Sequence, residues 1–314
     1  MPAGVPAGPI QKASAGDFAS DLDLTCDEVA YLLDLAAQVK ATPAPYADAL
    51  RGRSLSLLFE KPSLRTRLTF ELAMKQLGGD SILNNGIIGE REPLQDVARN
   101  LDRWTQGIVA RVFSQSTVDE LARWSKVPVV NALSDLYHPC QALADMLTLR
   151  EHFGALAGLN LTFVGDGNNV AHSLMLSATR LGVNFSLATP PGYEPNPAVV
   201  SKATELAAVS GATLRIGTNP EEAVAGANAV YTDVWASMGS EHEAETRRKE
   251  FRAYQVTETL FGLAAPDAIF MHCLPAHRGE EVTDEVIESP QSAVFDQAEN
   301  RLHTQKALLL MLLD

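Results

Sequence analysis

Arg65 and Arg67 stand two residues apart in FEKPSLRTR (59–67), beside the hydroxyls of Ser63 and Thr66, in a chain with 25 basic and 39 acidic residues. A guanidinium is a planar fork of donors that fits phosphate or carboxylate oxygens in pairs. At the start of a helix, where free backbone N–H groups already attract anions, such a stretch reads as a phosphate clamp. Its flanks predict that placement. SLSLLF (54–59) alternates and then runs apolar, as a buried strand does, whereas Phe70, Met74 and Leu77 recur at helical spacing. KPSLRT therefore links a strand to a helix.

The elements around this link repeat the pattern. A helix is expected at about 26–40, strands near 54–59, 81–84, 108–112 and 128–131 with helices between them, and one long helix in HPCQALADMLTLREHFG (138–154), ending at Gly154. Strands then recur at about 161–165, 185–188, 213–217, 229–232, 269–273 and 293–296, and ENRLHTQKALLLMLL (299–313) forms a last apolar helix. This order predicts an α/β protein of two Rossmann-like domains with parallel sheets, joined by a linking helix and a C-terminal helix. A length of 314 residues suits two domains. The expected divisions are a loose tail over 1–16, a first domain over 17–148 and a second over 149–314, with the C-terminal helix packing back across the junction.

In open α/β sheets ligands bind beyond the carboxyl ends of the strands, and polar residues collect there. Arg111 closes IVAR; His138, Cys140 and Gln141 follow VVNALSDLY; Asp166 and Asn169 follow LTFVG; Asp233, Ser237 and Met238 follow AVYT; His272, Cys273 and Leu274 follow IFM. Plainer readings compete with each. HPCQ reads equally as a histidine capping a helix, and His272 beside Cys273 as packing at a strand end. Arg111 and Arg301, taken singly, read as surface ion-pair residues. VGDGNN (164–169) has half of a dinucleotide fingerprint, but Val170 holds the third glycine position, so no nicotinamide or flavin is expected. His138, Cys140, His272 and Cys273 suit zinc by type but lack its usual local spacing, so no metal is expected.

Composition narrows the partners. A net charge of −14 repels nucleic acid and anionic membrane surfaces, while an arginine-lined cleft still admits a small anion within a Debye length of about 8 Å. Three scattered cysteines, Cys26, Cys140 and Cys273, suit a reducing compartment, and the absence of an apolar signal core suits the cytoplasm.

Taken together, FEKPSLRTR, HPCQALAD, DVWASMG and HCLPAHRGEEVT resemble the aspartate/ornithine transcarbamylase family over nearly the whole chain, from about Asp17 to Leu313. The clamp and HPxQ are shared by both branches of that family; SMG and HCLPAHRGEE belong to the ornithine branch. The resemblance implies transfer of the carbamoyl group of carbamoyl phosphate to the side-chain amine of ornithine, without a cofactor. A sister activity on putrescine or an acylated ornithine is the alternative. It implies that Ser63, Leu64, Arg65, Thr66, Arg111, His138, Gln141, Cys273, Leu274 and Arg301 surround carbamoyl phosphate, and that Asn169, Asp233, Ser237 and Met238 hold ornithine. Arg65, Arg111, His138, Asp233 and Cys273 are the implied catalytic set. Arg65, Arg111 and Arg301, with His138 as a further candidate cation, would favour the uncharged amine.

Two positions depart from the family pattern. Leu64 replaces a threonine that offers mainly its backbone N–H. Ile87, in NNGIIGEREP, replaces a glutamine that touches carbamoyl phosphate. In the family that loop reaches a neighbouring subunit, so the resemblance also implies a trimer or a multiple of trimers.

Overall fold

A computed structural model describes residues 9–236 and 243–314. The chain divides into two compact units, Met1–Leu147 with Asn300–Asp314, and Thr148–Glu299.

In the first unit, α1 (Cys26–Ala41) opens on a capping box, with Thr25 accepting from Glu28 N and Glu28 accepting from Thr25 N. There follow β1 (Ser54–Phe59), α2 (Leu64–Gln76), β2 (Asp80–Asn85), α3 (Leu94–Trp104), β3 (Gly107–Arg111), α4 (Gln115–Trp124), β4 (Val129–Leu133) and α5 (Pro139–Phe153). The four strands form a parallel sheet in the order β2-β1-β3-β4. Burial explains the order. β3 and β4 are buried along their whole length, and β1 nearly so, whereas DSILNN in β2 is exposed at most of its residues and takes the edge.

The N-terminal stretch is tied down from Gln11 onward. Gln11 N donates to the Tyr31 hydroxyl, Ser14 N to Glu28, and Phe18 pairs with β4 through Val129 and Asn131. The tail expected to be loose to residue 16 is held at these points.

The second unit contains β5 (Asn160–Val164), α6 (Asn169–Arg180), β6 (Asn184–Ala188), α7 (Pro197–Ser210), β7 (Leu214–Gly217), α8 (Pro220–Val224), β8 (Ala229–Thr232), α9 (Ala244–Glu250), α10 (Glu258–Phe261), β9 (Ile269–His272) and α11 (Asp284–Ile287). Its five strands are parallel, in the order β7-β6-β5-β8-β9. The strand expected at 293–296 is instead the first turn of α12 (Val294–Leu313). Only a single bridge joins Phe270 to Ser292; Gln297 N then bonds to Ala293 O, and Phe295 is exposed while Val294 is buried. A helical start suits that one-sided burial better than a strand covered on both faces. α5 and α12 each run across a boundary between the units.

Both sheets reverse direction once. After β1 the chain builds outward to β2 and then crosses to β3 on the other side; after β5 it builds to β6 and β7 and then crosses to β8. The carboxyl ends of β1 with β3, and of β5 with β8, flank the crevices that such switch points open. Among the described residues no helix is long and apolar enough to cross a membrane.

Candidate active site

The first switch point carries the clamp. Ser63 is the N-cap of α2, its hydroxyl accepting from Thr66 N at 3.2 Å. Thr66 is fully buried, and two guanidiniums converge on its hydroxyl: Arg301 Nη2 at 2.7 Å and Arg111 Nη1 at 3.4 Å. Arg111 ends β3 opposite Phe59 of β1, and Arg301 comes from α12 within the same unit. Two donors occupy both lone pairs of the hydroxyl, so its proton is left for an incoming acceptor. Arg65 lies half-buried on the same turn. Arg67, two residues on and so about 200° around the helix, is exposed and pairs with Glu71 at 2.8 Å. Of the two arginines in the opening stretch, one is half-buried beside Thr66 and the other pairs at the surface. Leu64 is 72% exposed.

His138 precedes α5, and its carbonyl accepts from Gln141 N and Ala142 N, as an N-cap carbonyl does, with Pro139 in the first turn. Its ring is buried. Burial, then the charges of Arg301, Arg111 and Arg65, hold its pKa well below the ordinary histidine value. Burial and the three arginines thus favour its neutral form, which argues against its expected candidacy as a further cation. One turn on, buried Gln141 donates Nε2 to Asp145 Oδ1 at 2.8 Å, and its Oε1 is a buried acceptor without a hydrogen-bond partner among the described residues. Cys140 is a core thiol on the Asn131 carbonyl at 3.4 Å, its pKa pushed up by burial to about 12. A thiol so reluctant to ionise is a poor zinc ligand.

Glu60 carried no sequence signal. Its carboxylate accepts from Ile88 N at 3.0 Å and Phe113 N at 2.8 Å, fixing the loop after β2 and the turn after β3 to the end of β1. Beside that anchor, Ile87 is 64% exposed.

The second switch point carries a carboxylate. Asp233, just past β8, is 7% exposed. Its Oδ2 accepts from Asn168 Nδ2 at 2.9 Å and its Oδ1 from Cys273 Sγ at 3.1 Å. Asn169 begins α6, while the N-cap is Asn168, a residue the sequence reading passed over. Ser237 and Met238 lie outside the described residues.

The glycines of VGDGNN have a structural cause unrelated to a dinucleotide. A Cβ on Gly167 would lie 2.4 Å from Pro195 N and 2.7 Å from Tyr193 O, so only glycine lets the 193–195 backbone cross there. Asp166 is also structural. Arg247 of α9 pairs with it at 2.6 Å, bonds the Trp235 carbonyl at 2.9 Å and lies over the Tyr193 ring. Burial raises the Asp166 pKa, against the pull of Arg247.

Cys273 is positioned by its neighbour. His272 is buried; Nδ1 accepts from Leu274 N at 2.8 Å, which leaves Nε2 to donate to Glu281 Oε1 at 3.2 Å. Leu274 has φ of 57°, a conformation that a leucine keeps only where its surroundings fix it. Asp233, His272 and Cys273 offer atoms within 4.8 Å of one another. Because both His272 nitrogens are engaged, the group suits hydrogen bonding to the carboxylate better than metal ligation.

Two family descriptions match the chain: aspartate/ornithine carbamoyltransferase, carbamoyl-P binding domain, over residues 16–151, and aspartate/ornithine carbamoyltransferase, Asp/Orn binding domain, over residues 157–312. The ornithine carbamoyltransferase of Thermus thermophilus is 53% identical over 289 residues, which is 91% of this chain and 93% of that protein. That of Symbiobacterium thermophilum is 52% identical over 302 residues, 95% and 97% of the two chains. The solved structure of ornithine carbamoyltransferase from Pyrococcus furiosus superposes with a TM-score of 0.94 at 47% identity, covering 97% of this chain and 99% of that one.

Proposed function

The chain belongs to the aspartate/ornithine carbamoyltransferase family, and we propose that it transfers the carbamoyl group of carbamoyl phosphate to the side-chain amine of L-ornithine, giving L-citrulline and phosphate. The observation that carries this reading is Thr66: a buried hydroxyl with two arginines on its lone pairs at a helix start. That arrangement suits a dianionic phosphate and nothing cationic. The first unit is then the carbamoyl phosphate domain and the second the ornithine domain.

In this reading Ser63, Arg65, Thr66, Arg111 and Arg301 hold the phosphate, and Gln141 Oε1 accepts from the carbamoyl NH2. His138, being neutral, serves as a hydrogen-bonding group. Ornithine's amine has an ordinary pKa near about 10.4, so it arrives mostly protonated. The arginines raise the cost of a second cation beside them and favour the free amine. They also stabilise the oxyanion of the tetrahedral intermediate and the departing phosphate, a kind of effect worth about 3 to 4 kcal/mol per donor. The leaving phosphate takes the amine proton. Asp233 receives the α-ammonium, Asn169 with Ser237 and Met238 the α-carboxylate, and Cys273 and Leu274 line the approach of the reacting amine.

The assembly belongs to the same proposal. Leu64, Leu68 and Leu72 recur every four residues on α2 at 72%, 44% and 40% exposure, with Ile82 exposed on the edge strand β2. Such an apolar stripe supports burial against a second copy, in a trimer or a multiple of trimers; a monomer by sedimentation would refute that. Three scattered cysteines suit a reducing compartment and so support a cytoplasmic enzyme.

The purified protein should be given carbamoyl phosphate with ornithine, N-acetylornithine, putrescine or aspartate. Each buried polar group left unpaired costs about 1 to 3 kcal/mol, so ornithine should lead by about a hundredfold in kcat/KM. A lead for putrescine or N-acetylornithine would move the chain to a sister activity, and no turnover with any amine would defeat carbamoyl transfer itself.

A further inference from the structure

We propose that Asn168 is a positioning residue for the amino-acid substrate: it sets the orientation in which the Asp233 carboxylate meets the α-ammonium. The proposal rests on the ornithine reading above. Asn168 does two things at once. Its Oδ1 accepts from Val170 N at 3.0 Å and Ala171 N at 3.1 Å, which caps α6. With the oxygen spent on the helix, the amide has one orientation left, and Nδ2 faces Asp233 Oδ2 at 2.9 Å. Cys273 Sγ holds the other carboxylate oxygen at 3.1 Å.

A carboxylate has about four lone-pair sites. Two are filled by donors from opposite elements, one at the start of α6 and one past β9, so rotation of the Asp233 side chain is stopped at both oxygens. An ammonium must come to the lone pairs that remain, and their direction is fixed before it arrives. Fixing a charged partner in advance spares its ordering at the moment of binding. The helix cap thereby doubles as the stop that aims the carboxylate. Asn169, the next residue, lies inside the helix, and the oxygen that caps α6 is Asn168 Oδ1.

The two roles separate by mutation. Serine caps a helix as well as asparagine does, but its shorter side chain has no second atom to reach Asp233. Asn168→Ser should therefore keep the thermal midpoint of the wild type and raise KM for ornithine by about tenfold, with KM for carbamoyl phosphate changed less than about twofold. Asn168→Asp also keeps the cap and sets a second carboxylate beside Asp233. Two such groups share one proton, so the pH profile of kcat/KM for ornithine should gain an ionisation that the wild type lacks. Asparagine acting only as a cap would leave the KM for ornithine of the serine variant unmoved. If the wild type turns over ornithine and neither variant differs in KM or profile, the positioning role is wrong and the functional reading stands. A wild type that ignores ornithine would sink both.

Discussion

Thr66→Val should lower kcat/KM for carbamoyl phosphate by about 10- to 150-fold while leaving KM for ornithine nearly unchanged. Valine has the shape of threonine without the hydroxyl, so at this fully buried position it removes the polar atom and makes no cavity. The hydroxyl accepts from Arg301 at 2.7 Å and Arg111 at 3.4 Å. Among the described residues nothing takes its own proton, so in the proposed site an anionic ligand oxygen would be its acceptor. A hydrogen bond to a charged group is worth about 1.5 to 3 kcal/mol, and at about 1.36 kcal/mol per tenfold that range gives the stated factor. Thr66→Ser keeps the hydroxyl and should recover most of the loss. Steady-state citrulline formation at saturating ornithine measures the effect. Thermal melts run alongside should show the valine variant a few degrees lower, since the guanidiniums lose an acceptor. A valine variant within about threefold of wild type, on a scale where one charge-assisted bond is worth tenfold or more, would refute the convergence argument.

Two further outcomes follow from the same half-site. The folded-state pKa of His138 is lowered, so below the unfolded value of about 6.5 the unfolded chain binds a proton that the folded chain refuses, and stability falls as pH falls. His138→Asn should remove up to about 1.4 kcal/mol per pH unit of that acid loss; parallel denaturant curves for the two proteins between pH 7.5 and 5 would contradict it. Asp145→Asn frees the Gln141 amide to turn over, because an asparagine there can donate or accept. KM for carbamoyl phosphate should rise by about tenfold, and an unchanged KM would mean that Gln141 Oε1 is not a ligand atom.

What could be read before folding depended on whether a residue's task is local. FEKPSLRTR was legible because the hydrophobic period changes from two to helical across it, which fixes a helix start whatever surrounds it. The separation of Arg65 from Arg67 follows from the same period. The strand assigned to 293–296 failed because AVF has strand composition, and only the exposure of Phe295 reveals the helix. The charge of His138 was illegible for another reason: it depends on burial and on three arginines from residues 65, 111 and 301, which no short window contains. The same holds for Glu60, whose two acceptor bonds reach Ile88 and Phe113. In NN at 168–169 the types were visible and the roles were not. Which asparagine caps and which opens the helix is settled by the backbone at the turn, where Gly167 yields to the 193–195 crossing.

The two half-sites solve one problem in opposite senses. An amide side chain has a donor end and an acceptor end of nearly the same shape, and a free one offers either to a ligand. Asp145 holds the nitrogen of Gln141, so the carboxylate is the support and the amide oxygen is the working atom. The start of α6 holds the oxygen of Asn168, so the amide nitrogen is the support and the Asp233 carboxylate is the working atom. In the proposed reaction the first fixed group would meet a carbamoyl NH2, which can only donate, and the second an ammonium, which also can only donate. Both substrates in the proposed reaction thus present donors where the protein has fixed acceptors. An analogue that offers an acceptor at either place, such as a carboxylate for the carbamoyl NH2, should be rejected by repulsion as well as by a missing bond.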